Sequence, residues 1–214
     1  RWNRDYIKMD NVNYWDNFYK NEHNTFPSQF AAFIASEYSD KSYLLDFGCG
    51  LGKDTFFFSN YYDKVIGLDS SLEAITKNKT RIGKSNKNIH FLLNDLSQKE
   101  SLKSELTKYL PVIENCIFYA RFFLHAIDEA TENNFLDIVK DLMTENNILT
   151  IEFRTLKDKF LKKEFDNHHR RFINPRDLSH KLSNINLSVS YYVEGQGYAK
   201  YKADDAYVAR MIIS

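Results

Sequence analysis

Asp46-Phe47-Gly48-Cys49-Gly50-Leu51-Gly52 gathers three of the chain's seven glycines within five residues, directly behind a carboxylate. Residues without a Cβ let the backbone turn sharply and approach a ligand closely. The apolar run Tyr43-Leu44-Leu45 reads as a strand and the stretch from Lys53 to Phe58 as a helix start. Strand, glycine turn and helix in that order hold nucleotide-like ligands in doubly wound folds. Asp69 ends the next apolar run, 17 residues past Gly52, near the offset of a ribose-binding carboxylate. Ser70 follows it, and a helix cap is the alternative role for both. Arg121 and His125 stand four apart, so one helical turn would put them on a common face. His is the side chain best matched to proton transfer near neutral pH, and Arg offers a rigid fork for phosphate or carboxylate. Glu152 and Arg154 alternate outward from a buried run, which is costly unless they meet a ligand or each other. His168-His169-Arg170-Arg171 suggests anion capture, with a solvated charged face as the alternative. Adjacent histidines make a poor zinc chelate, and no Cys/His spacing supports a metal site.

The elements that must position these residues follow in order. Tyr14 to Tyr19 begins an aromatic helical stretch, and Phe26-Pro27-Ser28-Gln29-Phe30 begins another, with Pro27 in its first turn. Trp15 and Tyr19 are the candidate lid residues, and Ser28 or Gln29 a candidate ligand hydrogen bond. Strands are expected at 43–45, 64–69, 88–96, 115–120 and 148–154, and helices at 97–110, from Asp128 to about Met143, and at 175–184. The polar stretch 155–167 reads as an excursion from the core. Two closing β-rich runs, 187–194 and 206–213, have no helix between them and predict an antiparallel hairpin at the sheet edge.

Composition narrows the function classes. With 214 residues, one domain spanning 14–214 is the simplest division, behind an arm or linker at 1–13. Because the chain opens on Arg1 rather than Met, it is also compatible with a domain of a longer polypeptide. Charges balance at 29 against 29, so nothing argues for a nucleic-acid partner. No apolar run approaches the roughly 20 residues of a membrane span. Two cysteines without a disulfide framework point to the reducing cytoplasm.

The Asp-x-Gly-x-Gly-x-Gly form differs from the Gly-x-Gly-x-x-Gly dinucleotide fingerprint. It resembles motif I of the class I S-adenosylmethionine (SAM) dependent methyltransferases, and Asp69 and Asp95 fit in order and spacing. The resemblance implies a Rossmann-like α/β fold of seven strands, mostly parallel, with a C-terminal antiparallel hairpin. It implies SAM as cofactor and S-adenosylhomocysteine (SAH) as product, held by Asp46, Gly48, Cys49, Gly50, Gly52, Asp69, Ser70, Asn94, Asp95, Leu96 and Trp15. Asp95 would accept from the adenine amino group, with Asn94 and Leu96 beside it. More narrowly, the segments Tyr119–Ala126, His169–Phe172 and Gly197–Tyr201 are similar to bacterial enzymes of capsule and surface-glycan assembly. That likeness implies a sugar or sugar-phosphate-like acceptor lined by Arg121, Glu152, Arg154, His168, His169, Arg170 and Tyr201. His125 is then the first choice of base for a hydroxyl acceptor. An anionic phosphate-type oxygen would need no base, and Arg121, His169 and Arg170 would act as clamps. The rival readings are an NAD(P)-dependent oxidoreductase and a non-catalytic SAM-binding module.

Overall fold

The computed structural model describes residues 13–22, 26–82, 88–97, 99–110, 112–164 and 170–214. Helix α1 covers residues 13–21. It is followed by α2 (Gln29–Glu37), β1 (Tyr43–Phe47), α3 (Lys53–Phe58), β2 (Lys64–Asp69), α4 (Leu72–Ile82), β3 (Ile89–Leu93), α5 (Lys99–Leu106) and β4 (Cys116–Arg121). Then come α6 (Glu129–Leu142), β5 (Ile148–Arg154), a 3₁₀ turn (Leu156–Asp158), α7 (Pro175–Asn184), β6 (Val189–Gly195), β7 (Lys200–Tyr201), β8 (Asp204–Asp205) and β9 (Val208–Ile213). The arm expected at 1–13 falls, but for residue 13, outside the described residues.

Seven strands form one sheet in the order β3-β2-β1-β4-β5-β9-β6. The first five are mutually parallel, and β9 runs antiparallel to both of its neighbours. This is the expected closing hairpin, with its second strand inserted next to β5. The strands read as continuous apolar runs because helices bury both faces. Alternation along each strand divides the core. Leu44, Ile117 and Ile212 pack with Phe30, Ile34 and Phe58 of α2 and α3. Leu45, Phe118 and Met211 face the other way, onto Leu102, Phe135 and Leu178 of α5, α6 and α7.

Capping places the helices that border the site. Asp128 accepts from the Thr131 N–H at 2.7 Å to start α6, where Phe135, Leu136, Val139 and Leu142 follow at helical spacing. Asn174 caps α7, with Pro175 at its first position. Ser28 caps α2, so Pro27 lies one residue outside the helix instead of in its first turn. No helix among the described residues is long and apolar enough to cross a membrane.

The strand order reverses between β1 and β4. The crevice beyond the carboxyl ends of strands at such a switch point is where doubly wound sheets take ligands.

Candidate active site

The glycine turn leaves β1 at this switch point and is stitched to its neighbours by the backbone. The Gly48 and Cys49 N–H groups both donate to the Leu68 carbonyl, at 2.8 and 3.0 Å. The Gly50 N–H donates to Asp69 Oδ2 at 2.8 Å. Gly48 has φ +72° and Gly50 φ +52°, a region open to glycine at little cost. Close approach excludes a side chain as well: a Cβ would stand 2.6 Å from the Phe123 ring at Gly48 and 2.6 Å from the Tyr19 hydroxyl at Gly50. Gly52 lines neither of the two cavities that open from this turn, and a Cβ there would meet the Phe91 ring of β3 at 2.8 Å.

Two confluent cavities open from this turn. The smaller, about 120 Å³, is lined by Asp69, Ser70, Asn94, Asp95 and Leu96. Asp69 Oδ1 accepts from Ser71 N–H at 2.9 Å, and Asp95 Oδ1 from Ser97 N–H at 3.0 Å. Both carboxylates thus make local turn hydrogen bonds, as well as facing the cavity. The Leu96 N–H, at a left-handed residue (φ 59°), donates to Asn94 Oδ1 at 2.8 Å. Trp15 and Tyr19 of α1 stack with ring centres 5.7 Å apart and border both cavities. Helix α1 is held there by Lys77, which donates to the Tyr19 carbonyl at 2.6 Å, and by a hydrogen bond from the Ser71 hydroxyl to Asp16.

The larger cavity, about 650 Å³, is lined by acids and cations together. Asp46, Cys49 and Gly50 line it at the glycine turn. Asp46 is 3% exposed and accepts from Thr55 Oγ1 at 2.6 Å. Burial, with Asp54 and Asp69 adding to it, pushes its carboxyl up to about 8. Burial also raises Asp69, against the backbone N–H groups of Ser71 and Gly50. Asp54, which sequence reasoning missed, accepts from the Ser28 N–H and hydroxyl, both at 2.7 Å, and from the Tyr119 hydroxyl at 2.8 Å. An acid in the first turn of a helix carries no sequence signal beyond a dipole preference. Only the approach of α2 and β4 makes it a node.

Arg121, Arg154, Arg170, Lys200, Tyr201 and Asp204 also line this cavity, and Arg121 is near enough to Asp46 for its charge to act on that carboxyl. The spacing expectation for Arg121 and His125 is corrected: Arg121 ends β4, and 122–127 is a turn instead of a helix. Phe122 takes φ +54° there, and its N–H donates to the Glu152 carbonyl at 2.8 Å. Its ring lies 4.2 Å from the Arg121 guanidinium and borders both cavities. Both residues of the pair still reach the larger cavity. His125 Nδ1 accepts from the Arg154 N–H at 3.3 Å, so the neutral ring carries its hydrogen on Nε2.

Glu152 departs from the expected substrate-binding role. It is 1% exposed and lines neither of these two cavities. Arg121 Nε donates to its Oε1 at 2.8 Å and Arg210 Nε to its Oε2 at 2.7 Å, across the registered strands β4, β5 and β9. Arg154 donates to Asp158 at 2.8 Å and to Asp204 at 2.7 Å. Asp158 is fully buried, so the start of the polar 155–167 stretch belongs to the core it was read as leaving. His168 and His169 lie outside the described residues.

With this geometry in view, comparison with known proteins is informative. Residues 44–120 match the family model described as a methyltransferase domain. No curated protein sequence matches the chain. A SAM-dependent methyltransferase from Anabaena variabilis superposes with a TM-score of 0.69 at 17% identity, over 94% of this chain and 92% of that one. The glycopeptide N-methyltransferase MtfA, in complex with SAM, gives 0.64 at 10% identity over 91% and 89%. The magnesium protoporphyrin IX methyltransferase ChlM from Synechocystis, with bound SAH, gives 0.60 at 16% identity over 86% and 78%. The fold is the class I methyltransferase fold.

Proposed function

We propose that the protein is a SAM-dependent methyltransferase acting on an oxygen of a small sugar or sugar-phosphate-like acceptor. The observation that carries the reading is the buried Asp46 carboxyl at the glycine turn, in a cleft that Arg121 and Arg154 also line. Asp46 is so desolvated that its proton is retained to about pH 8, and a cationic ligand beside it would favour the ionised form. SAM fits there because it combines a nucleoside with a sulfonium and an ammonium. Asp69 would hold the ribose, Asp95 the adenine, and Asp46 would face the positive charge, under the roof of Trp15 and Tyr19. The cofactor supplies an already electrophilic methyl group, so the protein's main task is to align the acceptor and exclude water.

The arginines of this cleft support an anionic acceptor. Arg121 is held by Glu152 and Arg154 by Asp158 and Asp204, so each guanidinium meets its ligand already oriented. A phosphate-type oxygen arrives without a proton to remove, and His125, with Nδ1 engaged, serves as a donor through Nε2. The likeness of 119–126 and 197–201 to enzymes of capsule and surface-glycan assembly supports the sugar class. The NAD(P) alternative loses its footing in the glycine spacing and the closing antiparallel strands. Calorimetry with SAM, SAH and NAD, followed by SAH-release assays on phosphorylated sugars and on amine acceptors, tests the reading. SAH release with the phosphorylated sugars is expected; absence of SAM and SAH binding overturns it.

A further inference from the structure

Lys53 is the first residue of α3, directly behind the glycine turn, and lines the larger cleft. It is half-buried, and among the described residues no acid or carbonyl accepts from it. Burial and the Arg121 charge hold its pKa below the usual lysine value, with Asp54, Glu22 and Glu152 acting the other way. Two of those acids are already committed: Asp54 to Ser28 and Tyr119, Glu152 to two arginines. Arg121 is in a related position. Its Nε is spent on Glu152, and no described residue accepts from its terminal amino groups. Two cations therefore present unused donors to one cleft and repel each other within it. A lysine exposed enough to find water and counter-ions would be a solvated charge; one desolvated beside an arginine is a functional-site feature.

We propose that Lys53 and Arg121 together bind an oxyanion, a carboxylate or phosphate group carried by a ligand of this cleft. An oxyanion between them accepts from both and relieves their repulsion, with charge-assisted hydrogen bonds on each side. Two sources share this chemistry: the carboxylate at the amino-acid end of the cofactor, if the methyltransferase reading holds, or an anionic group on the acceptor.

Calorimetry on the wild type, Lys53→Met and Lys53→Arg separates them. The probes are SAH, 5′-methylthioadenosine (the same thioether nucleoside without the amino-acid end), and inorganic phosphate titrated into SAH-saturated protein. If the cofactor supplies the anion, Lys53→Met weakens SAH by about 10- to 100-fold, leaves methylthioadenosine unchanged, and is largely rescued by Lys53→Arg. If the acceptor supplies it, SAH binding is unchanged and the phosphate affinity falls by a similar factor. Unchanged affinity for both SAH and phosphate overturns the proposal, as does an equal loss of SAH and methylthioadenosine. A wild type that binds neither nucleoside sinks the methyltransferase reading instead. Phosphate is then titrated into the free protein, where its loss in Lys53→Met supports the oxyanion pair and its persistence overturns it.

Discussion

Asp46 is a buried acid at the glycine turn whose proton is held unusually tightly. Its carboxyl titrates near 3.8 when unperturbed and about 8 in the fold, so between those values the folded chain binds more protons than the unfolded one. By linkage its contribution to stability is fully present below about pH 4 and declines as pH rises toward 8. Asp46→Asn is therefore expected to raise the melting temperature relative to wild type at pH 8 and to flatten that part of the pH profile. The same change should narrow the preference for cationic SAM over neutral SAH, measured by calorimetry at pH 8. An unchanged SAM-to-SAH ratio would remove Asp46 from the cation's surroundings. In the same cleft, Arg121→Ala should lower kcat/KM for a phosphorylated acceptor by about 100-fold. His125→Ala should cost about tenfold or less and leave the acid limb of the rate profile in place. Loss of that limb, whose fall marks protonation of a base, would restore His125 as the base.

At the scale of elements, the row Arg121–Glu152–Arg210 ties three strands together behind the cleft. Removing the shared anion leaves two buried cations without their partner, and Glu152→Ala is expected to cost about 3–5 kcal/mol in urea unfolding. Helix α1 is tied less firmly to the glycine turn. Gly50→Ala should push the Tyr19 hydroxyl off its 2.6 Å position and weaken SAH roughly tenfold, with a smaller effect on unfolding. What the sequence made legible at this scale was local. Asn174-Pro175 announces α7, Asp128 announces α6, and the apolar runs mark the strands to within a few residues. The misreadings share one cause. Arg210 lies 58 residues from Glu152, and Asp204 lies 50 from Arg154. No periodicity reports such pairings, so Glu152 read as pointing at a ligand. Equally, the left-handed Phe122 gives no sign in its residue type, and an i,i+4 spacing across it mimics a helical turn.

For the whole molecule, binding to the folded state alone must raise stability by mass action. SAH at about 100 times its Kd should add about 2.7 kcal/mol, a rise of roughly 5–10 °C in melting temperature for a domain of this size. NAD at the same concentration should leave the melt unchanged. The fold class could be anticipated through the resemblance carried by the glycine turn and its following acids, and the closing hairpin from two β-rich runs without a helix between them. The cleft's mix of acids and cations could not, since it arises from side chains drawn together from β1, α3, β4, β5 and the β7–β8 hairpin.

The placement of β9 between β5 and β6 has a consequence for how the molecule is made. Synthesis proceeds from the amino terminus, and a nascent chain that has already wound its parallel strands still lacks Arg210. Until the return strand enters its slot, Glu152 has one guanidinium instead of two. Completing the charged row behind the cleft therefore waits on a long-range pairing. Pulse-labelled hydrogen exchange during refolding should find β1, β2 and β4 protected before SAH can bind.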